Sequence, residues 1–306
     1  MAASGTRGNR LTVVDVHAHV IVPGLGVEVR WDEQGQVVEL DGRQVRSAVR
    51  EFSDLPTILE EQDKSGVEQV VLCPFVGMLD REPERQNEAL AALRSDRVDV
   101  LGTCPVDRPE LLRELMADGR FAGVEIAASS GGDYPGSERY GDFWAAAEET
   151  GAIVFIHPTT NAFPQPIFKQ HYLFNLVGNP VETTLAAADM VISGVLDRHP
   201  ELKVVLAHGG GTLMSLRGRL HHAQTFKPPG IDVKAAIGRF YFDTVVFDRG
   251  VLKALIDFAG ADRVLLGSDY PFDMGDADPT RIVRELGLPA EDEAKILGGN
   301  YARLRV

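Results

Sequence analysis

The chain alternates between two hydrophobic patterns. Short apolar, β-branched runs are each followed by a longer stretch in which apolar positions recur at helical spacing. Eight such runs occur, at 11–16, 67–73, 98–104, 123–127, 152–156, 203–207, 239–245 and 263–267. Runs of this kind read as parallel strands covered by crossover helices, and eight is the number at which such a sheet closes on itself. The predicted fold is therefore α/β, a (β/α)8 TIM barrel. Its helices are predicted over 55–66, 84–95, 109–118, 140–150, 181–198, 213–224, 250–259 and 278–286.

Two connections are longer than a barrel needs. Apolar residues alternate through 27–45 around Glu33-Gln34-Gly35-Gln36, which predicts a β-hairpin inserted between the first strand and the first helix. A loop or helical insertion, 158–178, follows the fifth strand. Both fall in loops that leave the C-terminal ends of strands, the face on which barrels build their sites. No repeat, low-complexity tract or linker interrupts the pattern, so 1–306 is expected to be one barrel domain.

Composition narrows the partners. With 31 Lys plus Arg against 45 Asp plus Glu, the net charge of -14 repels nucleic acid phosphates and anionic membrane surfaces, and no local basic patch offsets it. Cys73 and Cys104 each follow an apolar run and precede a proline, as buried, reduced thiols would. No apolar segment follows the polar N-terminus, and nowhere do eighteen apolar residues run together, so a cytoplasmic protein is expected.

Candidate chemistry gathers at the ends of the runs. His17 and His19 stand two apart in Asp15-Val16-His17-Ala18-His19, a spacing that puts both imidazoles on one face of a strand. Alone, a His-x-His pair is a weak signal. His157, His208 and Asp269, however, terminate the fifth, sixth and eighth runs. Taken singly, each reads as a polar strand end bonded to a neighbouring loop. Taken together, five groups of ligand or acid/base type converge on one mouth. Imidazole with carboxylate suits zinc, with manganese or cobalt as alternatives.

The ordered blocks Asp15-Val16-His17-Ala18-His19, Ile156-His157-Pro158, Pro180-Val181-Glu182-Thr183, His208-Gly209-Gly210-Gly211 and Leu266-Gly267-Ser268-Asp269-Tyr270-Pro271-Phe272 resemble the amidohydrolase superfamily. The likeness is to its branch of semialdehyde and resorcylate-type decarboxylases. The resemblance implies that His17, His19, His157 and Asp269 hold one zinc with a water, and that His208, just beyond bonding distance, acts on that water. His208 and Asp269 are then the catalytic pair. It further implies that Arg46 and Arg219 grip substrate carboxylates, Arg219 across a homodimer interface. Taken without it, either arginine reads as a solvated surface charge.

No lysine stands on the fourth strand, Gly123-Val124-Glu125-Ile126-Ala127, so the carbamylated-lysine bridge of two-metal relatives is excluded. Glu125 reads as a barrel-interior acid, paired or facing the site wall. Thr159-Thr160 and His171 depart from the branch on the substrate side, and His171 is a candidate extra acid/base, substrate hydrogen-bond donor or structural histidine. The expected activity is non-oxidative decarboxylation of a small unsaturated or aromatic carboxylic acid. A hydrolase or hydratase that opens a lactone or hydrates a dienoate is the alternative on the same scaffold.

Overall fold

The computed structural model describes residues 12–32, 35–45, 52–159, 166–226 and 232–306. The first strand, β1 (Val14–Val20), is followed by the inserted strands β2 (Val27–Asp32), β3 (Gly35–Leu40) and β4 (Arg43–Gln44), which pair antiparallel in that order. The chain then alternates: α1 (Leu55–Lys64), β5 (Gln69–Pro74), α2 (Pro83–Ala91), β6 (Val98–Thr103), α3 (Pro109–Asp118), β7 (Gly123–Ala127), α4 (Gly141–Thr150) and β8 (Ile153–His157). After it come α5 (Asn179–Ile192), α6 (Val195–Arg198), β9 (Lys203–Leu206), α7 (Leu213–Ala223), α8 (Val233–Ile237) and β10 (Tyr241–Asp243). The last elements are α9 (Arg249–Ala259), β11 (Val264–Leu265), α10 (Pro279–Arg284), α11 (Ala290–Ala294) and α12 (Asn300–Leu304).

The eight parallel strands run in the order β1-β5-β6-β7-β8-β9-β10-β11. Backbone bonds seal the ends of this sheet to each other. Val16 N–H donates to Leu266 O at 2.9 Å, Asp269 N–H to His17 O at 2.7 Å, and His19 N–H to Tyr270 O at 2.6 Å. The eighth strand is regular only at Val264–Leu265, shorter than the predicted 263–267, because the chain beyond it follows β1 irregularly while presenting Asp269.

The residues on the two faces of each strand separate as a barrel requires. Val70, Leu72, Val98, Val100, Val124, Ile126, Val154, Ile156, Val204 and Leu206 pack outward against the helices. Val71, Leu101, Ala122, Ile153, Phe155, Val205 and Leu265 fill the interior, where Tyr301 and Leu304 of α12 close the N-terminal end. There Tyr301 donates to the buried Asp99 carboxylate at 2.6 Å.

β1 breaks this alternation. Val14 and Val16 belong to the interior cluster, whereas Ala18 and Val20 belong to the outer one. The change of parity comes from a register shift between Asp15 and Ala18 in the pairing with β5. A one-residue slip moves every later side chain to the other face, so the bulge is what lets valines 14 and 16 and histidines 17 and 19 all face inward. The buried Asp15 carboxylate holds it. It accepts from His17 N–H at 3.0 Å, Ser268 N–H at 3.1 Å, Ser268 Oγ at 2.5 Å and Gln62 Nε2 at 2.8 Å, tying β1 to the eighth strand and to α1. Burial pushes the Asp15 carboxyl up to about 6, a rise that these donors oppose.

The inserted hairpin carries a third strand, β4, beyond the two predicted. It packs Val27 and Val38 onto Ile21, Phe52, Phe75 and Met78 beside the mouth. The predicted helix 181–198 divides at Gly194, whose φ of 76° stops α5. α8 was not predicted because one turn and a half is too short for an apolar period to register, and the helical stretch 290–304, in which α11 and α12 join through a π turn kinked at Gly298, lies beyond the last predicted helix. Among the described residues no helix is long and apolar enough to cross a membrane. Both cysteines are free and buried.

Asp15→Ala should destabilise the metal-free protein by about 3 kcal/mol, since it strands several buried donors at once. Urea unfolding of the purified variant checks this; a loss under about 1 kcal/mol would show that the bulge stands without the carboxylate.

Candidate metal centre

Four buried side chains from three barrel segments meet at the C-terminal mouth. Their ligand-type atoms, one each from His17, His19, His157 and Asp269, all lie within 4.8 Å of one another. Asp269 Oδ1 is 3.2 Å from His17 Nε2, 3.2 Å from His19 Nε2 and 3.9 Å from His157 Nε2, while the two Nε2 atoms of His17 and His19 are 3.1 Å apart. Bonds of about 2.0–2.2 Å in a tetrahedral array would set donors roughly 3.3–3.6 Å apart. These spacings therefore fit one small divalent ion. The fit is sharpened by two orphans: His157 Nε2 and Asp269 Oδ1 are buried and have no hydrogen-bond partner.

Each imidazole is aimed by its other nitrogen. His17 Nδ1 lies 2.6 Å from Asp243 Oδ2, His19 Nδ1 lies 3.2 Å from the Pro74 carbonyl, and His157 Nδ1 lies 2.8 Å from the Pro158 carbonyl. An acceptor at Nδ1 requires the proton there, which leaves the Nε2 lone pair pointing inward on all three rings. Phe155 and Phe272 pack against the His17 and His19 rings at centroid distances of 4.7 and 4.9 Å, limiting their rotation.

The electrostatics demand positive charge. Burial disfavours a charged His17, yet the Asp269 and Asp243 carboxylates flanking it overcome that and push it up to about 10. A divalent ion would satisfy the same field in place of a proton. Burial drives His19 down and His157 down to about 3, keeping both neutral as ligation requires. Asp269 would be raised by burial, but His17 and the surrounding imidazoles hold it well below the carboxylate range.

His208 stands beside the cluster, outside it. Its Nε2 is 3.3 Å from the outer oxygen of Asp269, and its Nδ1 is buried and unpaired. His208 and Asp269 both have positive φ, 55° and 58°, a conformation costing non-glycine residues about 1–3 kcal/mol each. Asp243 restrains this turn: its oxygens accept from His208 N–H at 2.9 Å and Gly209 N–H at 2.7 Å as well as from His17. Gly267 leaves the necessary room, since a Cβ there would lie 3.0 Å from the Cβ atoms of both His17 and Asp243.

The sequence reading overlooked Asp243. The available signal was an acid inside the apolar seventh run, which only the fold connects to His17. Glu125 is fully buried on β7, as expected of an interior acid, but neither oxygen has a hydrogen-bond partner, and burial pushes its carboxyl well above the usual range. It is not one of the four clustered groups.

A cavity of about 220 Å³, open to solvent, lies over His208 and Asp269. Leu176, Val245, Val246, Phe247 and Met274 supply its apolar walls, and Asn175 and Asn179 supply amides. Neither Arg219, exposed on α7, nor His171, exposed with a φ of 52° in the second insertion, lines it in this chain. Arg46 and Thr160 lie outside the described residues.

Comparison with known proteins gives the chain's family and fold. The family model described as amidohydrolase matches residues 14–304. The chain is 33% identical over 211 residues to the 2-amino-3-carboxymuconate-6-semialdehyde decarboxylase of Dictyostelium discoideum, an alignment covering 65% of this chain and only 58% of that protein. To the 6-methylsalicylic acid decarboxylase of Penicillium expansum it is 33% identical over 242 residues, covering 70% and 71%. The crystal structure of 5-carboxyvanillate decarboxylase from Sphingomonas paucimobilis superposes with a TM-score of 0.79 at 23% identity, covering 96% of this chain and 98% of that one, a likeness of fold.

Asp243→Asn, which presents an amide to His17 Nδ1, should weaken cation binding 10- to 100-fold. Competition with a chromophoric chelator measures it, and an unchanged dissociation constant would mean that the tautomer is set elsewhere.

Proposed function

We propose, from the premise that this chain belongs to the amidohydrolase family, that it is a cation-dependent carboxy-lyase that releases CO2 from a small unsaturated or aromatic carboxylic acid without an oxidant. The observation that carries the reading is the joint placement of the four-residue cradle, the His208 imidazole and an apolar, ring-sized cavity. The two decarboxylase relatives support it. His17, His19, His157 and Asp269 would hold the ion. Three imidazoles and a carboxylate favour zinc, and accept manganese or cobalt. When bound, such an ion supplies Lewis acidity and lowers the pKa of water it holds.

The chain's own contribution is orientation and proton transfer. His208, fixed by Asp243 at its backbone and by Asp269 at Nε2, is placed to carry a proton to the substrate carbon that bears the carboxylate. With that proton in place, the bond to the carboxylate breaks, CO2 leaves, and its electron pair restores the unsaturated system. The apolar walls would seat the unsaturated face of the substrate beside that imidazole.

Arg219 enters through a second copy of the chain. Leu176, Val177, Leu185, Ile192 and Leu216 are exposed apolar residues on the 174–178 turn and the adjoining helices α5 and α7. We assign this face to a homodimer, in which Arg219 on α7 and Arg46 would grip the substrate carboxylate as bidentate forks.

Incubation with hydroxybenzoic and unsaturated carboxylic acids should release CO2 stoichiometrically with the decarboxylated product; addition of water without loss of carbon would overturn the assignment. His208→Ala should retain its cation and lose turnover by a factor of at least about 100. Loss of the metal in that variant would make His208 a ligand instead. Arg219→Ala should raise KM about ten-fold or more, and wild-type kinetics would remove it from the site.

A further inference from the structure

The Nδ1–H groups of the three candidate ligands have three different acceptors. His17 donates to a carboxylate, Asp243, whereas His19 and His157 both donate to proline carbonyls, Pro74 at 3.2 Å and Pro158 at 2.8 Å. Those two carbonyls belong to peptides with unlike surroundings. The Pro74 peptide continues into the Phe75 N–H, which donates to the neutral backbone oxygen of Val20 at 3.1 Å. The Pro158 peptide continues into the Thr159 N–H, which donates to Glu182 Oε2 at 2.9 Å.

Glu182, in the first turn of α5, is fully buried. Its other oxygen accepts from the Ser129 hydroxyl at 2.7 Å and the Thr159 hydroxyl at 3.3 Å. All three contacts bring donors, so the pocket is built for a carboxylate. Nothing in the reaction outlined above uses it.

We infer that Glu182 is a positioning residue that tunes the cation site through the Pro158–Thr159 peptide. The carboxylate accepts the Thr159 N–H, the carbonyl of the same peptide accepts the His157 Nδ1–H, and His157 Nε2 faces the ion. Amide resonance links the two ends of the peptide: an anion drawing on the N–H raises electron density on the carbonyl oxygen. A more negative oxygen accepts more strongly from Nδ1–H and makes Nε2 a better donor, as a carboxylate bound directly to a ligand histidine does. The shorter bond at Pro158 than at Pro74 has the expected sense. Two contacts from Thr159 to one carboxylate also keep the peptide plane from turning, which fixes the ring. The inference depends on cation binding and is independent of which reaction the ion serves.

Full-length protein loaded with Zn2+ provides the test. In the wild type, the His157 Nδ1–H proton resonance should lie downfield of that of His19. Glu182→Gln, which keeps an acceptor oxygen and removes the charge, should move the His157 signal upfield, leave the His19 and His17 signals in place, and raise the Zn2+ dissociation constant about ten-fold. Ser129→Ala removes a donor from the same carboxylate without touching the peptide and should not weaken Zn2+ binding. Equal weakening in the two variants would reduce Glu182 to a packing role, and an unchanged dissociation constant in Glu182→Gln would overturn the inference. Should that variant not fold, a wild-type His157 signal at or upfield of that of His19 overturns it equally. Wild-type protein that takes up no Zn2+ would remove the cation site itself, an outcome distinct from an intact site indifferent to Glu182.

Discussion

The structure turns on one buried carboxylate oxygen, Asp269 Oδ1, that has three imidazole nitrogens around it and no hydrogen bond of its own. Burying an anion is costly unless a compensating charge sits beside it. Here the compensation is asked of a cation: the rings present lone pairs, their protons are engaged on the far side, and His17 alone is driven to accept charge. A cluster of this kind would be a liability in a merely structural core. Its geometry is intelligible as a cradle for a divalent ion.

Much of the surrounding architecture serves that arrangement. Asp15 holds the bulge that turns His17 and His19 inward, and Asp243 fixes the His17 tautomer while restraining the strained turn at His208. Gly267 leaves space where the first, seventh and eighth strands come together. Each of these residues lies on a strand or at its exit, where backbone bonding limits drift, so ligand positions are set by the sheet rather than by loops. The loops build the cavity, and its walls are chiefly apolar. Site chemistry and substrate choice are thus divided between two layers of the same mouth.

The sequence disclosed the repeating period, and with it the number of strands, because an apolar run followed by a helical period is a local property of the chain. It also disclosed His17, His19, His157, His208 and Asp269, since each interrupts or ends such a run with a polar group. Asp243 carried no comparable mark, and Glu182 stood in a block of the family likeness with no role attached to it. An acid within a strand or a helix reads as ordinary until the partner it accepts from, 226 residues away for Asp243 and His17, is seen beside it.

By itself, then, the order of residues determined the barrel and the identity of the groups at its mouth, because periodicity and residue type survive without knowledge of contacts. Tertiary structure alone decided which nitrogen each histidine presents, the parity change in β1, and the buried carboxylates behind the ligands. Those depend on distances of about 3 Å between residues far apart in the chain, and on a one-residue slip in pairing that no local pattern records.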